Sequence, residues 1–521
     1  MSYQDYDFVG SYNKGYVNSV GSEVTINMYE IDTPSALKKK ALIYFPGSIL
    51  RVSLGIEATS ACRGSFQFTV DGIAFNYYVF GQFVYRFETD LSFTLIGTLN
   101  TTIGHVDIEA NLTELLFVDG SDGWVWNGSA FTQVTDSNFP ANPVSVTYLD
   151  GRFLVSSNES NQFASSAQED GLTWPPLETA EMNTKGDTIV KVKMLKRRIY
   201  VFGNIITEEW YDGGSPGFPF VRDNSILYGF GLASIASLAG NEDVLLWVSK
   251  TKQGSSYIMM TDGGEVRKVS TPAIDLLLQQ ISRRGGVNTT GLSDGAASIM
   301  EINGQIFYIL SFTGGNSTLL YNITTDKWSL LSMLDGSRYY GQYHTYFNNR
   351  HYIGSFNSPN LYEVSRNYFT NNGEAMKFTR ISKIIGSPTG MKVEIKMLEL
   401  QFDQGNYLRN ENDDNGIYFD NFGSIYTNNQ SVAYWNNSHN TSPEVSTANP
   451  VVYISTSSDG GNTYGYERVQ PLGNVGEFNA RTIWNDFGIG DSFVVKMESY
   501  SSIPLIILGG NIDYEFTRFG A

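Results

Sequence analysis

Cysteine is all but missing from this chain. Cys62 is the only one in 521 residues, so no disulfide can form within it, and a reducing compartment suits its assembly. No stretch approaches ~18 uninterrupted apolar residues, so no membrane-spanning helix and no membrane insertion are expected. The first thirty residues, opening Met1-Ser2-Tyr3-Gln4-Asp5, hold no basic start leading into an apolar run, so no secretory leader is expected either. Histidine is scarce, with four residues, His105, His344, His351 and His439. No His-x-x-x-His or Cys–His spacing suggests zinc, although His344 and His351 stand where they could meet across a hairpin. Charged residues make up only 17%, and they are unbalanced, giving a net charge of −18 and a pI near 4.7. Basic runs are no longer than three residues, and one of them, Lys38-Lys39-Lys40, reads as a solvated turn. Holding phosphates requires Lys and Arg to displace counterions, so tight DNA binding is disfavoured, while passive contact with moving DNA is not.

What the chain does have is aromatic and turn-forming. It carries 32 Tyr, 32 Phe and 52 Gly, and 41% of its residues are hydrophobic. That mixture favours many short strands joined by many turns. The length calls for two or three domains, or for one large repeat with an appendage. Short apolar β-type runs begin at Tyr77, Leu115, Arg152, Ile199, Val244, Ile306 and His351. Their starts lie roughly 37 to 62 residues apart, mostly near 40 to 45, which is the spacing of β-propeller blades. Within one unit, Asn303-Gly304 makes a hairpin turn before Ile306. Gly314-Gly315-Asn316 makes the next turn, and strands follow at Leu319 and Lys327. The other reading of this pattern is an irregular set of β-sandwiches. One helix is predicted over 272–281, capped by Thr271 and opened by Pro272; it lies between blades and accounts for the longest spacing.

Past residue 373 the character changes. Residues 392–402 alternate at period two, as a half-buried strand should, and further strands are predicted at 451–455, 481–484, 493–497 and 505–508. The fold class expected is all-β: a propeller of about six to seven blades with an appended, separate antiparallel β-sandwich. The division expected is an N-terminal β segment over 1–60 with an oligomerisation role, a propeller over 61–373, and a sandwich over 374–521. The stretch 403–450, rich in Asn, Ser, Gly and Tyr, is too long for an ordinary loop and reads as an insertion, either a mobile excursion or one that orders against a partner.

No residue pattern carries catalysis. Ser457-Ser458-Asp459-Gly460-Gly461-Asn462-Thr463-Tyr464 fits a hairpin turn found in sialidase-like propellers, in which the Asp accepts backbone N–H bonds and the aromatic ring packs beneath. Such an enzyme would also need clustered arginines and paired carboxylates. Arg283-Arg284 is an adjacent arginine pair and reads as part of a Gly-rich loop. Glu208 and Glu209, adjacent on a strand, point to opposite faces. Asp413-Asp414-Asn415-Gly416 lacks the ligands of a calcium loop, Gly229–Gly231 lacks the helix of a dinucleotide site, and Cys62 has nothing to activate it. No catalytic, cofactor-binding or metal-binding residue is assigned, and the chain is read as a non-enzyme.

Several motifs, in order, resemble those of the packaged-DNA stabilisation proteins, or tail hubs (nozzles), of short-tailed, podovirus-type bacteriophages. They are Ile26-Asn27-Met28-Tyr29; Phe45-Pro46-Gly47; Asp170-Gly171-Leu172-Thr173-Trp174; Ala180-Glu181; and Phe202-Gly203. Then come Thr207-Glu208-Glu209-Trp210, Pro219-Phe220-Val221-Arg222, Ser270-Thr271-Pro272-Ala273-Ile274, the stretch from Ser457 to Tyr464, and Arg468, Arg481, Trp484 and Gly488. Two departures stand out: 403–450 is longer than the family's connection, and Tyr464 replaces a Trp.

The resemblance implies a virion protein of the tail, assembled in the host cytoplasm as a homo-oligomer, a hexameric ring below the portal and its adaptor (head-to-tail connector) protein. The ring would extend the DNA channel, stabilise packaged DNA, pass genomic DNA without sequence-specific binding until ejection, and dock tail fibres or tailspikes and a tail needle or plug. It implies no cofactor. Two other classes stay open: a glycan-binding or sialidase-like propeller module, marked by an open central pocket with free arginines, and an interaction scaffold unrelated to phage.

Overall fold

The structure, a computed structural model, describes residues 4–18, 21–32, 38–70, 72–215, 217–284, 291–387, 391–403, 417–419, 425–427, 450–472, 480–500 and 503–517. It is built almost wholly of β-strands, arranged as a seven-bladed propeller and a two-sheet sandwich. The inner strands of the blades, in chain order, are Cys62–Val70, Asp107–Ala110, Pro143–Leu149, Ile189–Leu195, the short pieces Phe230–Leu232 and Ala239–Gly240, Gly295–Ile302 and Gly341–Phe347. The last packs against the first, which closes the ring.

Each of the seven apolar runs in the sequence is the second strand of one blade. The second blade shows why these runs are continuous rather than alternating. Leu115, Leu116, Phe117 and Val118 are all fully buried. Leu115 and Phe117 pack with Tyr77 and Val79 of the first blade, while Leu116 and Val118 pack with Val146, Phe153 and Val155 of the third. A strand between two blades needs apolar side chains on both faces. At roughly 1.5–3 kcal/mol per buried side chain, these inter-blade layers carry the stability of the ring. Asn303 and Gly304, at φ 52° and 72°, form the predicted tight turn between the first two strands of the sixth blade.

The helix runs from Pro272 to Arg284, between the last strand of the fifth blade and the first of the sixth. Thr271 Oγ1 accepts the Ile274 N–H at 3.4 Å, and Ala273, Ile274, Leu277, Leu278 and Ile281 bury one face. Arg283 and Arg284 therefore lie in the last turn of this helix and not in a loop.

The N-terminal segment differs from the division read in the sequence, because its strands find partners at the far end of the chain. Gly47–Ser53 is the fourth strand of the seventh blade, paired with Asn360–Ser365. Met28–Asp32 and Lys40–Tyr44 extend one sandwich sheet, in the order Met28–Asp32, Lys40–Tyr44, Ile506–Thr517, Lys392–Asp403, Ala480–Gly490; Gln4–Tyr6 pairs the other half of Ile506–Thr517. Ser22–Ile26 lies between Phe378–Ile381 of the second sheet and Lys327–Leu331 of the sixth blade. The sandwich is thus not separate: one sheet runs from the sixth blade through Ser22–Ile26 into it. The rest of 403–450, apart from Asp403, the paired Ile417–Phe419 and Ile425–Thr427, and Pro450, lies outside the described residues, as do Asp413–Gly416 and His439.

Candidate functional site at the propeller axis

Side chains bind the inner strands of four blades to one another. Lys191 Nζ, on the fourth, lies 3.0 Å from Asp107 Oδ1 on the second and 3.3 Å from His105 Nε2. His105 Nδ1 is 2.8 Å from the hydroxyl of Tyr343, on the seventh. Asp107 Oδ2 accepts the Val146 N–H of the third blade at 3.1 Å, and Lys193 pairs with Glu109 at 2.8 Å two residues along each strand. The third and fourth blades are joined directly: Ser145 Oγ accepts the Val192 N–H at 2.9 Å and Thr147 Oγ1 the Met194 N–H at 3.0 Å. The second, fourth and seventh blades are not neighbours, so this chain of contacts crosses the axis.

At its centre Lys191 and Asp107 are buried, 3% and 7% exposed. Burial alone would raise the Asp107 carboxyl, but the Lys191 ammonium, His105 and Lys193 hold it well below the usual carboxylate range. Burial, and then the charge of Lys191, pull His105 below its ordinary value, so its ring is neutral at pH 7. Paired in this way, the charges balance each other and have no partner to spare for a ligand.

Two arginines that act electrostatically on Tyr343 are also committed. Arg63 uses all five of its N–H donors, to Gly81 O, Thr101 O, Thr101 Oγ1, Ile103 O and Gly104 O at 2.7–2.8 Å. Arg338 bonds Thr313 Oγ1, Tyr339 O and Gln342 Oε1, with its guanidinium 3.9 Å over the Phe356 ring. A carboxylate-binding arginine cluster needs free forks, and these are occupied.

The other residues singled out in the sequence lie apart from the axis. Glu208 bonds Trp210 Nε1 and Arg222, whereas Glu209 bonds the Tyr228 hydroxyl, so the two carboxylates face different partners. Cys62 is fully buried with its thiol 3.7 Å from Gly64 O, and burial pushes the thiol up. Asp459 stands in the sandwich. Its carboxylate accepts from Ser457 Oγ, Asn462 N, Thr463 N and Thr463 Oγ1, Gly460 and Gly461 have positive φ, and Lys496 stacks 5.5 Å over Tyr464. His344 and His351 do meet across their hairpin, at 3.0 Å. Among the described residues, no group of three or more His, Cys, Asp or Glu is placed to hold a metal ion.

Sequence reasoning misses the axial cluster, although a signal is there. Asp107 and Glu109 share one face of their strand, Lys191 and Lys193 share one face of theirs, and the two spacings match. Asn27 stands out in the sequence only as part of a motif, yet it is the joint between propeller and sandwich. It is buried, at φ 58°, and bonds Leu330, Ser332 and Lys377.

Comparison with known proteins gives no match among curated sequences. Among solved structures, the WD40 domain of Neurospora crassa Pan2 is 9% identical at TM-score 0.39, covering 62% of this chain and 94% of its own. Virginiamycin B lyase from Staphylococcus aureus is 10% identical at 0.38, covering 65% and 98%; the computationally designed Ika8 protein is 11% identical at 0.36, covering 61% and 99%. At these values they bear on neither activity nor partners. Family models speak for most of the chain: the model described as bacteriophage P22 Gp10, beta-propeller, matches residues 13–368, and that described as bacteriophage P22 Gp10, beta-sandwich, matches residues 424–515. With its seven-bladed ring fused to a two-sheet sandwich, the chain belongs to the Gp10 family of phage packaged-DNA stabilisation proteins.

Proposed function

We propose that this phage structural protein is the tail hub, or nozzle, of a short-tailed virion, working by shape and self-association. Copies close into a ring below the portal and its adaptor, extend the DNA channel, help retain the packaged genome, and offer surfaces to fibres or spikes and to a plug. Assembly takes place in the host cytoplasm. A head-to-tail contact that closes on itself makes a channel of fixed bore, which suits a rigid wedge such as a propeller locked to a sandwich.

The observation that carries the reading is family membership across both domains. Two features support it. The propeller axis is bridged by Lys191, Asp107, His105 and Tyr343, so a channel for DNA belongs between protomers and not within one. The net charge of −18 favours a channel wall that is neutral to negative, past which DNA slides without being held. The bonded state of Arg63 and Arg338 weighs against a glycan-binding centre on the axis. Cryo-electron microscopy of the virion that encodes this chain tests the proposal. A closed ring of propellers below the portal is expected; absence of the chain from mature particles, or a lumen lined with Lys and Arg, would end it.

A further inference from the structure

The seams between blades are tied by side chains on the inner strands, and they differ in chemistry. Between the third and fourth blades the ties are the hydroxyls of Ser145 and Thr147, which do not titrate near neutrality. Between the sixth and seventh the tie is an imidazole. His344, on the inner strand of the seventh blade, has Nδ1 2.8 Å from the carbonyl of Ile299 on the inner strand of the sixth. A carbonyl only accepts, so Nδ1 carries the proton and donates it. His344 Nε2 is then a lone pair, and it accepts from His351 Nδ1, 3.0 Å away on the next strand of the seventh blade. The two rings lie nearly parallel, 25° apart. Both tautomers are therefore fixed, and the only place for a further proton on His344 is already filled by the N–H of His351.

We propose that the seam between the sixth and seventh blades is an acid-sensitive latch, held by this neutral histidine pair and released when His344 takes a proton. Protonation there puts a cation between the two blades and, while His351 keeps its Nδ1 proton, sets two N–H groups against each other at hydrogen-bond distance. Opening of the seam relieves both, because it hydrates the imidazolium and lets the two rings part.

The surrounding charges do not offset this. On the seventh blade, Glu363 faces His351, but it is already bonded by Arg51 and Arg350. The Tyr346 ring lies 4.9 Å from that of His351. On the sixth blade the nearest charge along the inner strand is Glu301, an exposed residue beyond Ile299. From the first blade the strand against His344 presents Ser65, whose hydroxyl bonds the His344 carbonyl. Consistent with this geometry, burial and then the neighbouring His351 pull His344 from 6.5 down to about 3. The unfolded or opened seam binds a proton near 6.5 and the closed seam does not, so closure strengthens as pH rises through that window and is lost as pH falls.

Backbone hydrogen–deuterium exchange on the intact chain, corrected for intrinsic rates, reads the latch directly. From pH 7 to pH 5, protection across Gly295–Ile302 and Gly341–Phe347 should fall about ten-fold relative to Pro143–Leu149, and the fall should be absent in His344→Gln. An equal change at both seams, or the same loss in His344→Gln, overturns the proposal. Should that variant not fold, C2–H exchange of the wild-type imidazoles, followed by mass spectrometry, decides instead. Titration of His344 only below pH 5 upholds the latch, and titration near its ordinary value refutes it.

Discussion

Asn27 and Ser332 hold each other by two reciprocal hydrogen bonds. Asn27 Nδ2 donates to the Ser332 carbonyl at 2.9 Å, and the Ser332 N–H donates to Asn27 Oδ1 at 3.0 Å. The same amide donates to the Lys377 carbonyl at 2.9 Å, where the chain enters the sandwich. One side chain therefore fixes the sixth blade against the sandwich. An asparagine suits the place twice over, since it matches a peptide group in hydrogen bonding and tolerates the left-handed backbone at φ 58°.

Replacing Asn27 separates these two roles. Asn27→Ala loses the bonds, leaves the Ser332 N–H unpaired and keeps a Cβ in the left-handed region, for a destabilisation of about 3 kcal/mol. Asn27→Gly loses the bonds but relieves the backbone, and should be about 1 kcal/mol less damaging. Urea unfolding followed by tryptophan fluorescence measures both. Midpoints equal to wild type in either variant would show that Asn27 does not join the domains.

Closure of the propeller rests on Glu363, which is 4% exposed and links the third strand of the seventh blade to a strand from the other end of the chain. Arg51 Nε and Arg350 Nη1 reach one of its oxygens at 2.8 and 3.0 Å, and the Tyr368 hydroxyl reaches the other at 3.2 Å. Glu363→Gln removes the buried charge with little change of shape and leaves Arg51 and Arg350 without it. The expected loss is about 2 kcal/mol, with earlier proteolysis within Gly47–Ser53. An unchanged urea midpoint would show that the strand pairing alone closes the ring.

At the axis, Lys191→Met leaves Asp107 buried without its cation, at a cost of about 3 kcal/mol at pH 7. The pH dependence also changes sign. With Lys191 present, Asp107 titrates below its unfolded value of 3.8, so its contribution is present above that pH and lost as pH falls below it. Without Lys191, burial dominates and the carboxyl rises above 3.8, so the variant should recover toward wild type as pH falls from 7 to 4. Adding Asp107→Asn should restore stability at pH 7, and a double-mutant cycle over that pH range reads the coupling. A constant deficit from pH 7 to pH 4 in Lys191→Met would contradict the pairing.

The blades are legible in the sequence because each second strand is squeezed between two neighbours, and the resulting apolar runs, such as Leu115 to Val118, are local in sequence. The seven blades fall within the six to seven read from these runs, and the helix inserted after the fifth is legible as well. The place of the N-terminal strands is not legible. Gly47–Ser53 carries alternating polar residues that suit any edge, and its partner is decided by contacts such as Arg51 with Glu363, 312 residues away. The axial cluster is hidden for a similar reason: Lys191, His105 and Tyr343 each look ordinary in their own strand, and only ring closure brings them together.

Asp459 offers a test of whether the sandwich turn is architecture or chemistry. Its carboxylate takes two backbone N–H groups and two hydroxyls, all from residues 457–463, and this hydrogen bonding holds it well below the usual carboxylate range. A group so engaged is a strong acceptor and a poor proton donor, which fits a turn organiser better than a catalytic acid. Asp459→Ala should release the Asn462 and Thr463 amides to faster hydrogen exchange while Val451–Ser457 and Ser492–Ser499 keep their protection. Virions carrying the variant should still hold the protein and eject DNA at permissive temperature. If exchange at those amides were unchanged while a sugar substrate ceased to be turned over, the residue would be acting on a ligand and not on its own loop.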